Sequence, residues 1–135
     1  MANNLPWTED ELLLVLGTYF SHAYKGKSAR PADKAVGDLS ETLRNLPFYS
    51  EEERSDQFRS PDAVTIRIQN FAGMDPESDY VGRGAPALQQ KIWNRFGNEP
   101  EKAKQVASRV RKYASKVKPE VLRDKHFSGE GLMEG

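Results

Sequence analysis

The chain predicts an all-α domain, a compact bundle of about five helices. Three observations predict it. Apolar residues recur at three- and four-residue spacing through most of the 135 residues. Capping residues or prolines stand where those stripes begin, and Gly- or Pro-containing breaks separate them.

The first helix opens at Thr8, which forms a capping box with Glu11, and Glu9, Asp10 and Glu11 suit the positive end of the helix dipole. Its stripe is Leu12, Leu16, Tyr19 or Phe20, and Ala23. Leu13, Leu14 and Val15 widen it, which predicts a central helix ending near Lys25-Gly26, with Trp7 packing back onto it. A loop from Lys27 to Pro31 leads to a second helix, about Ala32 to Asn45, with Val36, Leu39, Leu43 and Leu46 on one face and Pro47 as its stop. Ser50 and Glu53 give a second capping box, consistent with a short helical turn from Glu51 to Gln57. That start also explains the acidic run Glu51-Glu52-Glu53 better than a metal does.

The third helix starts at Ser60-Pro61, a cap followed by a proline at the first helical position. Val64, Ile68 and Phe71 form its stripe. Val64 to Ile68 also alternates as a strand would, but the cap and Phe71 favour a helix. Met74 to Ala85 reads as a loop. A fourth helix from Pro86 to about Phe96 buries Leu88, Ile92 and Phe96 and ends on Gly97 as a C-cap. A fifth runs from Pro100 to about Val117 on Ala103, Val106, Ala107, Val110, Tyr113, Ala114 and Val117, and Pro119 ends it. Residues 1–126 are therefore expected to form one helical domain and 127–135 a flexible tail or the start of a linker.

Bulk composition excludes several classes. Without cysteine there are no disulfides and no cysteine-ligated metal. No apolar run is long enough to cross a membrane, and Met1 to Pro6 lacks the pattern of a signal peptide, so a cytoplasmic protein is expected. The two histidines, His22 and His126, form no zinc pattern and cannot supply a Ser-His-Asp order. No catalytic residue, metal ligand or cofactor site is predicted.

Net charge is zero, but it is unevenly spread. Met1 to Phe58 holds ten acids and six bases, whereas Glu101 to Lys125 holds nine bases and three acids. Such asymmetry points to nucleic acid. The third helix adds Thr65, Arg67, Gln69 and Asn70 opposite its apolar stripe, side chains able to bind phosphates or read base edges. It becomes the candidate recognition helix of a helix-turn-helix-like arrangement. Arg59 and Ser60 are expected to face phosphates, and Thr65, Arg67 and Asn70 to face the groove. Arg83, in a glycine-flanked loop, and Arg111 and Lys112, on the fifth helix, complete the expected DNA-binding set.

Two resemblances follow from particular residues. Trp7-Thr8-Glu9-Asp10-Glu11-Leu12 resembles the opening of Myb-like helical modules. The stretch from Trp7 to Leu14 with Tyr19-Phe20, then Leu39 to Leu43 and Leu46-Pro47, Phe58-Arg59-Ser60 with Val64 to Phe71 and Asp75-Pro76, and Ile92-Trp93 with Phe96 resembles, in order and spacing, the N-terminal domain of modification-dependent HNH restriction endonucleases, the McrA-like type IV enzymes of bacteria. The resemblance implies a domain that binds double-stranded DNA and senses a modified base: methylated or hydroxymethylated cytosine, or methylated adenine. It also implies a covalently linked HNH nuclease domain in the parent protein. The chain itself has no His-Asn-His motif, so it is expected to cut nothing. A mark can be read by apolar contact in the groove, or by extruding the base into an aromatic-walled pocket, for which Trp7, Tyr80 and Trp93 are candidates. The alternative function is a protein–protein or oligomerisation module without DNA binding.

Overall fold

The computed structural model describes residues 5–22, 24, 29–46, 48–78 and 84–114. Among them are five α-helices and no strand: α1 (Glu9–Ser21), α2 (Lys34–Arg44), α3 (Pro61–Met74), α4 (Ala87–Phe96) and α5 (Pro100–Ala114). None is long and apolar enough to cross a membrane.

The Thr8–Glu11 capping box forms, each side chain accepting the other residue's backbone N–H at 2.9 and 3.1 Å. From it α1 runs through the middle of the molecule. Every residue from Asp10 to Tyr19 is buried, because the unbroken run Leu12 to Leu16 offers apolar surface on all sides and the other four helices pack around it. The heaviest packing is between α1 and α5. A Cβ placed on Gly17 would lie 2.5 Å from that of Ala107, so the helices cross at a distance that only glycine permits there. Val36, Leu39, Leu43, Val64, Ile68, Phe71, Ile92, Phe96, Val106 and Val110 close the core. Tyr19 Oη donates to Asp75 Oδ2 at 2.7 Å, tying the end of α1 to the end of α3. Burial, and then the Asp75 carboxylate, raise this phenol's pKa well above its usual value.

Several boundaries differ from the sequence reading. α1 ends at Ser21, with the N–H of His22 bonded to the Thr18 carbonyl, short of the expected Lys25-Gly26. Ser50 and Glu53 do form a capping box, but the segment it starts is a single 3₁₀ turn, Glu51–Glu53. Pro86 is the N-cap of α4 rather than its first residue. Gly97 follows α4 with φ −61°, so it is not a left-handed cap. Glycine is needed because a Cβ would lie 2.6 Å from the Trp93 ring and carbonyl. Tyr113 is exposed and leaves the α5 stripe, and Val117 and Pro119 lie outside the described residues. Residues 45–60, which join α2 to α3, are far more than the roughly 3–4-residue turn of a helix-turn-helix.

Candidate functional site

The segment before α3 folds inward. Arg59 takes a left-handed backbone conformation, φ +47°, which is unfavourable for a side chain as large as arginine. It is held there by its own side chain. Nε donates to Glu11 Oε2 at 2.7 Å and Nη2 to Glu11 Oε1 at 2.9 Å, while Nη1 and Nη2 also donate to the carbonyls of Leu5 and Pro6. The guanidinium lies 4.2 Å from the Trp7 ring centre and 4.4 Å from that of Phe58. Ser40 Oγ donates to the Arg59 carbonyl at 2.6 Å, fixing this corner to α2.

Arg59 is therefore turned into the fold, 5% exposed and paired there, rather than facing outward as expected. Two other expected residues are also turned inward. Ser60 is buried, and its Oγ accepts from the N–H of Ala63 as the N-cap. Thr65 is also buried and donates to the Pro61 carbonyl at 2.8 Å. The reason is helical phase: Thr65, Ile68 and Ala72 stand at i, i+3 and i+7, so all three face the core. Asn70 is half-buried and used internally. Its Nδ2 donates to Gln89 Oε1 at 3.3 Å, and Gln89 Nε2 donates to the Arg67 carbonyl at 2.7 Å, a polar bridge from α3 to α4. Gln89 is fully buried. Its signal in the sequence is a polar residue in register with Ile92 and Phe96.

Arg67 behaves differently. It lines a groove of about 460 Å³ between the segment before α1, the α3 surface and the start of α4. Trp7, Phe58, Ile66 and Leu88 supply apolar walls. Ile66 on the rim is 54% exposed, unusual for an isoleucine. The Arg67 guanidinium lies 5.5 Å from the Trp7 ring centre, and its Nε is buried without a hydrogen-bond partner. Burial first, then the neighbouring Arg59 charge, lowers its pKa, so the cation is held where it is poorly solvated. Arg54 shares a buried, unpartnered Nε and a pKa lowered first by burial, but its other nitrogens donate to the carbonyls of Arg44 and Leu46 at the end of α2.

Of the remaining expected contacts, Arg111 and Lys112 are exposed on α5. Neither of them lines the Arg67 groove. Arg83 lies outside the described residues, as does Tyr80. Trp93 packs in the core against Phe20, Tyr19 and Phe71, whereas Trp7 lines the groove as an aromatic wall.

Fold and groove together define a small all-α domain carrying an arginine-bearing apolar groove. Comparison with family models, with curated proteins and with solved structures finds no match to this chain.

Proposed function

We propose that this domain binds double-stranded DNA and senses a modified base, methylated or hydroxymethylated cytosine or methylated adenine, as the recognition part of an HNH restriction endonuclease. It cuts nothing by itself. The observation that carries the reading is Arg67: a cation lining a groove walled by Trp7, Phe58, Ile66 and Leu88. An arginine fork matches the O6 and N7 acceptors of guanine in the major groove, and apolar walls beside it suit a methyl group on the neighbouring base, as they suit the methyl of thymine. The edge of the base pair enters the groove, and no base needs to leave the stack. The reading surface is thus the Arg67 and Ile66 side of α3 with Trp7 and Leu88, not the Thr65 side.

A gel-shift panel of plain, 5-methylcytosine, 5-hydroxymethylcytosine and N6-methyladenine duplexes tests this. One modified duplex binds best, and affinity falls steeply between about 50 and 200 mM salt. Arg67→Ala costs about 1–3 kcal/mol of binding with no loss of fold. Absence of a shift with every duplex at low salt overturns the reading. The exposed Ile66 favours a second reading, a protein-interaction module. That module shows self-association or partner binding abolished by Ile66→Lys, and no DNA shift at any salt.

A further inference from the structure

A second concavity, of about 250 Å³, opens between α1 and α5. Its polar lining is Thr18, Ser21, His22, Lys104, Ser108 and Arg111: three hydroxyls and three basic side chains. No carboxylate is part of the lining among the described residues. Glu101 pairs with Lys104 Nζ at 2.8 Å, one turn along α5, from a largely exposed position. The cause of the hollow lies in the packing. Gly17 brings the two helices together, and the long side chains on either side of that contact stand up around a depression floored by Gly17 and Ala107. Hydroxyl donors beside Lys and Arg are the chemistry that binds a tetrahedral oxyanion. The end of α1 contributes a partial negative charge of about half an electron, which two permanent cations outweigh.

We infer that this hollow is a phosphate-binding site, with Arg111 and Lys104 neutralising the anion and Thr18, Ser21 and Ser108 donating to its oxygens. The site shares no lining residue with the Arg67 groove. A small phosphorylated ligand and a backbone phosphate of a duplex share this chemistry.

The test is an amide NMR titration of the whole chain with inorganic phosphate at constant ionic strength, with chloride as control. Saturable shifts at Thr18, Ser21, His22 and Ser108, with a dissociation constant in the millimolar range, are expected. They weaken at least fivefold in both Arg111→Gln and Lys104→Gln, with melting temperatures unchanged. A parallel salt series with a short duplex separates the sources. A slope reduced by about 0.9 in Arg111→Gln assigns a backbone phosphate. An unchanged slope with phosphate binding intact in the parent chain assigns a small ligand. Linear shifts equal to those with chloride, or shifts indifferent to both substitutions, overturn the site. The phosphate arm contains no DNA, so its outcome does not depend on the groove.

Discussion

Arg59 and Glu11, distant in sequence, hold each other through two hydrogen bonds of 2.7 and 2.9 Å at positions only 5% and 1% exposed. Glu11 Oε1 also accepts the Thr8 N–H, so one carboxylate serves both the start of α1 and the approach to α3. Removing one member of such a pair leaves a buried charge unpaired, at a cost of about 3–5 kcal/mol, whereas removing both costs less than the sum. Arg59→Met and Glu11→Gln should each lower stability by that order, and the double variant should recover part of it. Glutamine keeps an acceptor for Thr8, which separates the charge from the cap. Urea unfolding of the four proteins measures the coupling.

The Gly17–Ala107 contact predicts a contrast between two glycines. Gly17→Ala forces a Cβ to within 2.5 Å of Ala107, an overpacking expected to cost about 1–3 kcal/mol. In α2, a methyl group added at Gly37 would meet nothing within 4 Å, so Gly37→Ala should gain about 0.5–1 kcal/mol from helix propensity. Thermal melts of both variants give the signs directly.

Tyr24 Oη donates to Asp33 Oδ2 at 3.2 Å, and burial, then the Asp33 charge, pushes its pKa from 10.0 up to about 12. The folded state therefore keeps the phenol proton in a range where the unfolded chain releases it. The contribution is complete below pH 10 and is lost as pH rises towards 12. A stability profile over that window should fall less steeply in Tyr24→Phe. An identical fall would remove Tyr24 from the account.

Asn70 and Gln89 join α3 to α4, so Asn70→Ala should behave as a structural variant. A stability loss of about 0.5–1.5 kcal/mol is expected. DNA affinity, corrected for the folded fraction, should be unaltered. A specific loss of affinity with full stability would return Asn70 to the reading surface.

Much of the helical architecture was legible because its signals are local. The caps at Thr8 and Ser60 and the stripes through Leu12–Leu16, Val36–Leu43 and Ala103–Val110 depend on neighbours within a few residues, and each forms as read. The candidate site was harder to read because its determinants are not local. Nothing near Arg59 in sequence reveals that Glu11 and the carbonyls of Leu5 and Pro6 lie within its reach. The fate of Thr65 turns on helical phase, since a shift of one position separates core from solvent on a helix whose neighbours cover most of its circumference. Arg67 was legible as a candidate, but its apolar surroundings come from Trp7, Phe58 and Leu88, on three separate segments.

Since the guanidinium of Arg59 grips the carbonyls of Leu5 and Pro6 while Trp7 walls the groove, the residues just ahead of α1 act as a keystone. Trimming the chain back to Thr8 would strip three supports at once: a stacking partner for two arginines, the acceptors that hold a strained corner, and one side of the cleft. Any fusion made at the front of this domain should leave those residues native and unburdened.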